Sequence, residues 1–366
     1  MSRRVRVGAA VAALLAILVV ASGVAGGLIY NQLSAVRQHC GGSRAGQTPA
    51  TFTADPVDTA PYEMPVYQDV SFPSRDRQAS IAAWYVPAAG TSAPRAVIVV
   101  HGLNGCRRAP EVLLAAGMLH RAGIAALLID LRNQGDSSVT NGHYAGGTLE
   151  YQDLLGAWDW LRGAHGFAAA AIGAMGFSLG AGTVMDATGE EPRLAAAWED
   201  SGFSDVGKAI GDELARNGYP PLLAIGGLPV ANALAGHDLT MPNPIWAAGR
   251  LGSRPVAIVH GEADARMPVR HATDLAGAIA SAGGRVEVWL VPGAGHTQTI
   301  FLRPAEYESR LDGFFTAALT GPVSSGGPNS LQGDKEAGRR GSSRLAGYAV
   351  RSSAPRAQSS ANSTGW

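Results

Sequence analysis

Short apolar runs alternate with helix-forming segments through most of this chain, and this alternation limits the folds open to it. Strands are predicted at 65–72, 80–86, 96–100, 125–130, 170–176, 194–199, 256–260 and 285–291. Helices are predicted at 111–121, 149–163, 179–188, 270–282 and 306–319. This order is typical of an α/β fold whose mostly parallel sheet is covered by helices on both faces.

Two stretches depart from the simple alternation. The polar turn 74–77 joins the first two strands and favours an antiparallel start to the sheet. The proline-containing stretch 205–251 lies between the sixth and seventh strands and predicts a small, mostly helical cap. We therefore expect one domain over 62–320, with eight strands and the cap inserted near its carboxyl-terminal half.

The N-terminus contains an uncharged apolar stretch from Gly8 to Ile29. As a helix it would span about 33 Å, enough for the hydrocarbon core of a bilayer. Arginines precede it, which favours a cytoplasmic N-terminus and a domain outside the cytoplasm. We expect 1–30 to be a transmembrane anchor; a signal peptide cleaved after Gly23-Val24-Ala25 is the alternative, and leads to secretion.

Polar, small residues flank the expected domain on both sides. The stretch 31–61 predicts a flexible linker, and 321–366 predicts a disordered tail. The formal net charge is zero and 16% of residues are charged, so nothing indicates a nucleic-acid partner. Cys40 and Cys106 are compatible with one disulfide in an exported protein or with two free thiols.

The most specific motif is Gly176-Phe177-Ser178-Leu179-Gly180, placed where a predicted strand becomes a helix. A serine hydroxyl becomes a good nucleophile only when it is held exposed beside a base, and a sharp strand-to-helix turn exposes it. Glycines two residues before and after the serine allow the tight packing of that turn. Ser178 is therefore the candidate nucleophile.

A base and an orienting acid must accompany such a serine. His296 follows the last predicted strand in a glycine-rich loop and is the candidate base. Asp264 follows the seventh strand and is the candidate acid, with Glu262 as its nearest competitor. Two other histidines at strand ends, His101 and His260, are expected to brace loops.

Charge that develops on the substrate oxygen needs two backbone N–H donors. Leu179 supplies one by position, because it follows the nucleophile. The loop 101–105 after the third strand is expected to supply the other from the amide of Leu103. A plain glycine-rich turn is the alternative for that loop.

With these motifs the chain resembles the α/β-hydrolase superfamily, in particular its compact-cap branch of serine aminopeptidase-like, acylaminoacyl-peptidase-like and esterase or lipase-like members. The resemblance covers roughly Tyr62 to Leu319 and includes the serine turn, the acid and histidine loops and the segment 130–137. In that segment Asn133-Gln134 replaces a glycine and the residue after it in the family pattern, which is expected to alter the pocket rim.

The resemblance implies an α/β-hydrolase fold and a serine hydrolase that cleaves carboxylic esters through an acyl-enzyme, with a Ser178–His296–Asp264 triad. No metal or organic cofactor is implied. The expected partners are a small ester or peptide-like substrate and, through the N-terminal helix, a membrane. A serine peptidase is the alternative enzyme, and a non-catalytic binding protein with this fold is the alternative from another class.

Overall fold

Strands and helices alternate along the chain in the computed structural model, which describes residues 3–36, 40, 44–90, 94–220 and 223–320. The strands are β1 Gln68–Pro73, β2 Ser80–Val86, β3 Ala96–Val100, β4 Ala125–Ile129, β5 Ile172–Phe177, β6 Ala197–Asp200, β7 Pro255–Gly261 and β8 Arg285–Val291. The helices are α1 Arg3–Ser34, α2 Pro110–Arg121, α3 Tyr151–His165, α4 Leu179–Glu190, α5 Val206–Arg216, α6 Leu223–Ala235, α7 Pro244–Ala248, α8 Arg270–Ser281, α9 Thr299–Leu302 and α10 Pro304–Ala318.

The eight strands form one sheet in the order β1-β2-β4-β3-β5-β6-β7-β8. β1 pairs with β2, and β2 with β4, in antiparallel fashion. All other pairs are parallel. The predicted mostly parallel sheet with an antiparallel start is confirmed. Predicted strand ends differ from the observed ones by up to three residues, as at β6, where Leu194 closes a turn onto Glu191 instead.

Helices cover the sheet on both faces because its strands are apolar on both sides. All five residues of β3 are buried. Val97 and Val99 belong to the core that α2 and α10 cover, whereas Ile98 and Val100 belong to the core that α3, α4 and α8 cover. Alternate residues of a strand point to opposite faces, so a continuously apolar strand needs a helix on each side.

The cap lies between β6 and β7, as predicted, and contains α5, α6 and α7. Its first helix is fastened to α8 by polar contacts: Lys208 Nζ lies 2.9 Å from Asp274 Oδ2, and Asp212 lies 2.8 Å from the ring of His271. These contacts hold α5 beside the loop that follows β7. The cap therefore has a defined position over the carboxyl ends of the strands.

The apolar N-terminal stretch Gly8 to Ile29 falls within α1. Against the expectation of an anchor, no helix in the described part of the chain is both long and apolar enough to cross a membrane. The last turns of α1 pack on the cap: a Cβ placed on Gly26 would lie 3.0 Å from Gly227 Cα in α6.

The segment expected to be a flexible linker differs from that expectation where the structure describes it. Phe52 and Ala54 are buried in the core beneath α2. The amide of Met64 also donates to the carbonyl of Pro49 at 2.7 Å. Burial of these apolar side chains outweighs the polar composition of their neighbours. The predicted disordered tail, 321–366, lies outside the described residues.

Cys40 and Cys106 form a disulfide, with a Cα–Cα separation of 5.8 Å. From the sequence alone, this disulfide and a pair of free thiols were both compatible with the two cysteines. It connects the chain after α1 to the loop after β3, across a sequence separation of 66.

Candidate active site

Ser178 lies in a sharp turn between β5 and α4. Its φ of +55° is in the left-handed region, which a residue with a Cβ adopts only where the surroundings hold it. The turn requires both motif glycines: a Cβ on Gly176 would clash with the carbonyl of Gly180, and one on Gly180 would lie 2.5 Å from Val100 O. The hydroxyl is thereby presented at the N-terminus of α4.

Three side chains from separate loops form a hydrogen-bonded series at this turn. Ser178 Oγ lies 2.8 Å from His296 Nε2. His296 Nδ1 lies 2.7 Å from Asp264 Oδ2. With the Nδ1 proton donated to the carboxylate, Nε2 is left to accept the hydroxyl proton. The structure thus brings together the predicted nucleophile, base and acid, while the competitor Glu262 is exposed.

Asp264 is held ionised by the groups around it. Burial raises the pKa of Asp264, but hydrogen bonds from His296 and from the amides of Met267 and Arg266 outweigh it and leave the pKa below its ordinary value. Those amides donate to Oδ1 at 2.9 and 2.8 Å. An ionised carboxylate fixes the imidazole orientation and stabilises the imidazolium that forms when the ring takes a proton.

Asp200, at the end of β6, fastens the histidine loop rather than orienting the ring. Its carboxylate accepts from Ser201 Oγ and from Tyr307 Oη, each at 2.8 Å. Ser201 Oγ in turn accepts from the amide of Thr297 at 3.0 Å. Burial raises the pKa of Asp200 to about 6, against the lowering by these two hydroxyls. Asp200 therefore supports both the serine turn, through its carbonyl and the Ser178 amide at 2.8 Å, and the histidine loop.

Glu199, one residue earlier, is a buried acid behind the site. Burial, followed by the charge of Asp200, raises its pKa to about 8 from the ordinary 4.5. Its Oε2 has no hydrogen-bond partner among the described residues. Between pH 4.5 and 8 the folded protein therefore retains a proton that the unfolded chain releases. Stability must then fall as pH rises through that window.

We expect Glu199→Gln to flatten this pH dependence, because glutamine is neutral in both states. Unfolding by urea at pH 5 and pH 8 measures it: the wild type should lose more free energy of unfolding over that interval than the variant. Glu287→Gln, at an exposed position of β8, is the matched control and should follow the wild type. Parallel curves for wild type and Glu199→Gln would mean that Glu199 does not hold its proton in the fold.

The two histidines expected to brace loops do so. His101 Nε2 accepts from the amide of Leu131 at 3.1 Å, and its Nδ1 lies 2.8 Å from Gly102 O. His260 Nε2 lies 2.7 Å from Met267 O in the acid loop. Burial lowers the pKa of both rings, so they remain neutral supports.

The loop after β3 passes directly beside the serine turn. A Cβ placed on Gly102 would lie 3.2 Å from both Phe177 O and Ser178 Cβ, so a larger residue would require these neighbours to shift by a few tenths of an ångström. Leu103 and Leu179 line the same cavity as Ser178. Tyr144 from the loop after β4 holds the loop after β3, because its hydroxyl accepts from Asn104 N at 2.7 Å and donates to Asn104 Oδ1 at 2.8 Å.

A second Ser–His–Asp set lies outside the site. Ser204 Oγ is 3.1 Å from His271 Nδ1, and His271 Nε2 is 2.8 Å from Asp212 Oδ2. Ser204 and His271 are fully buried, with exposures of 0% and 1%, so no substrate reaches that hydroxyl. This set connects the cap to α8.

A cavity of about 170 Å³ opens at Ser178 and extends beneath the cap. Its walls are mainly apolar and come from α5, α6 and, unexpectedly, α1. From α1 they include Gly26, Tyr30, Leu33 and Ser34. The sequence analysis missed these residues because it treated α1 as an anchor. Their only sequence signal was the run of small residues around Gly26, which permits close helix contacts.

Comparison with known proteins agrees with this architecture. A search of curated proteins gave no match. Among solved structures, an esterase from Pyrococcus furiosus matches with a TM-score of 0.57 at 20% identity, over 74% of this chain and 97% of that one. An α/β-hydrolase from Penicillium sp. sh18 matches with a TM-score of 0.55 at 18% identity, over 69% and 99%. The acylaminoacyl peptidase of Pyrococcus horikoshii matches with a TM-score of 0.51 at 17% identity, over 70% of this chain and 42% of that one.

The sheet order, the serine turn and these structural likenesses define an α/β-hydrolase, as the sequence predicted. Residues 112–320 match the model of the prolyl oligopeptidase family, which is more than half of the chain. The chain belongs to that family, and the protein is a serine hydrolase.

Proposed function

We propose that the protein hydrolyses carboxylic esters through an acyl-enzyme formed on Ser178. His296 takes the hydroxyl proton as Oγ attacks the ester carbonyl, and the carbon–alkoxide bond breaks as the same ring returns the proton to the leaving alcohol. Water then attacks the acyl-enzyme by the reverse roles, releasing the acid and restoring Ser178. Asp264 holds the ring and stabilises its protonated form. Backbone amides of Leu103 and Leu179 stabilise the oxyanion in both steps.

The observation that carries the ester assignment is the apolar cavity that begins at Ser178. An apolar wall stabilises an acyl chain by roughly 0.8 kcal/mol for each methylene removed from water. It offers little to the charged α-ammonium of an aminopeptidase substrate.

The acid that lines this cavity is already paired. Glu213 Oε2 accepts from Arg216 Nε at 3.1 Å and lies 3.6 Å from Arg266 Nε. Hydrogen bonding by Arg216 and the charge of Arg266 outweigh burial and lower the pKa of Glu213. A carboxylate compensated by two arginines is a poor receptor for an ammonium group, which favours an ester over an aminoacyl substrate.

The experiment is a comparison of p-nitrophenyl esters with aminoacyl p-nitroanilides on the purified protein. We expect kcat/KM to be higher for the esters and to rise from acetate to longer acyl groups. Higher kcat/KM for the anilides would establish the peptidase alternative. Hydrolysis of neither, together with no labelling by a fluorophosphonate, would support a binding protein.

We also propose that the domain works outside the cytoplasm. Support comes from the Cys40–Cys106 bridge, because disulfides persist in oxidising compartments. Alkylation of thiols in intact cells before lysis tests this: the two cysteines should be protected until a reductant is added. Alkylation without reductant would contradict the proposal.

A further inference from the structure

The cavity at Ser178 is closed on one side by the last turns of α1, a segment outside the residues that match the family. Tyr30 and Leu33 of α1 line this space together with Leu228 and Ala231 of α6. Tyr30 also packs on the small apolar cluster that Ala145, Ala231 and Leu239 form.

The crossing of α1 with α6 depends on glycine. A Cβ on Gly26 would lie 3.0 Å from Gly227 Cα and 3.1 Å from Val230 Cβ, so neither backbone can approach as closely with a larger residue there. Gly26 is buried although α1 is otherwise largely exposed. Close contacts of this kind fix the distance between two helices, and both helices contribute residues to the lining of the cavity.

The end of α1 is also fastened to the loop after β4. Val36 N donates to Gly142 O at 2.9 Å, and Tyr144 N donates to Ser34 O at 2.7 Å. Ser34 Oγ lies 2.9 Å from His143 Nδ1, and the ring of Tyr30 stacks on that of His143 at 4.9 Å.

Asn133 shapes this loop, and it is the position where the sequence departs from the family pattern. With φ at +67°, it takes the left-handed conformation that the family's glycine would take. Its Oδ1 accepts from the amides of Thr140, Asn141 and Gly142 at 2.7 to 3.2 Å. A glycine has no side chain to organise these amides. The asparagine therefore shapes the loop whose Gly142 carbonyl accepts from Val36 N, just after α1.

The disulfide completes the attachment. Cys40 lies just beyond α1, and Cys106 lies three residues after Leu103 in the loop after β3. The end of α1 is thus tied covalently to the loop that borders Ser178. A wall held by a helix crossing, backbone hydrogen bonds and a disulfide has a defined place in the fold.

We propose that α1, through Gly26, Tyr30 and Leu33, is the specificity-determining wall of the acyl pocket and sets the longest acyl chain that the enzyme accepts. The ligand class is an apolar acyl group, in keeping with the mainly apolar lining of the cavity. This inference rests on the proposed function only in taking Ser178 as the nucleophile. It holds whether the acyl group arrives as an ester or as an amide.

The test uses the full-length protein and measures the rate of covalent labelling by fluorophosphonates that carry a short (ethyl) or a long (dodecyl) alkyl chain. Leu33→Trp should lower the long-to-short rate ratio about tenfold, the effect expected when an apolar pocket loses room for a chain. Leu33→Ala should raise the ratio. Leu28→Trp is the matched control, since it places the same side chain on the same helix at a position that is 67% exposed; its ratio should equal that of the wild type.

The outcomes separate the two proposals. Opposite shifts in the two Leu33 variants, without a shift in Leu28→Trp, would support the inference. An unchanged ratio in both Leu33 variants, each with a normal thermal unfolding transition, would overturn it. An equal shift in Leu28→Trp would also overturn it, because the effect would then not arise in the cavity. A wild-type protein that neither reagent labels would instead contradict Ser178 as the nucleophile, and with it the proposed function.

Discussion

Ser178→Ala is expected to lower kcat for p-nitrophenyl butyrate by about 10⁶-fold, the effect seen when a triad nucleophile is removed. Without Oγ no acyl-enzyme forms, so what remains is the stabilisation that the oxyanion donors give to direct attack by water. The side chain contributes little to packing in the turn, and the backbone contacts of Ser178 with Asp200 and Ala181 do not involve it. We therefore expect the variant to fold normally.

Steady-state kinetics and fluorophosphonate labelling both measure this effect. Labelling should disappear in Ser178→Ala and persist in Ser281→Ala, which removes the same hydroxyl from the exposed end of α8. Retention of more than about one hundredth of the wild-type kcat would show that another group acts as nucleophile.

Asp264→Asn should lower kcat by about 10⁴-fold, with a much smaller change in KM. The amide cannot stabilise an imidazolium, and its NH2 group favours the tautomer with the proton on Nε2, which cannot accept the hydroxyl proton. The 2.7 Å contact between His296 Nδ1 and Asp264 Oδ2 is the interaction that this substitution changes.

The test is to measure kcat and KM of Asp264→Asn and of a control variant, Asp312→Asn, at an exposed position on α10. Asp200→Asn is a second comparison, at a carboxylate that supports the histidine loop through Ser201: its loss should appear mainly as reduced stability, because Asp200 accepts hydrogen bonds from Ser201 and Tyr307. If Asp200→Asn lowered kcat as much as Asp264→Asn, the assignment of the orienting acid would be wrong.

The position of Ser178, Asp264 and His296 could be predicted because each follows a strand in a parallel sheet. The carboxyl ends of neighbouring parallel strands lie at one edge, so loops far apart in sequence are brought together there. The apolar runs that predicted β2, β3 and β8 gave the same first and last residues that the structure shows. The predicted starts of β1 and β6 were each three residues too early, and before β6 a turn hydrogen bond from Leu194 N to Glu191 O delays the pairing.

The residues that line the cavity at Ser178 could be predicted less well from the sequence. Leu223 and Leu228 of the cap line the cavity. Trp246, another apolar residue of the cap, packs against Gly189 of α4, and the guanidinium of Arg250 lies 3.8 Å from its ring centroid. The apolar character of a side chain predicts that it is buried but not which residues it contacts, because an indole can pack equally well against many apolar surfaces.

Local pattern alone indicated the strands of a mostly parallel sheet, the sharp serine turn and the order of the three site residues, since strand period and glycine placement act over a few neighbouring residues. Only the tertiary structure decided that α1 closes the cavity, that Asn133 shapes the loop to which the end of α1 is bonded, and that Cys40 joins Cys106. Each of these is a contact between segments distant in the chain. Their formation depends on how whole surfaces fit, as at Gly26 and Gly227, and not on the composition of either segment.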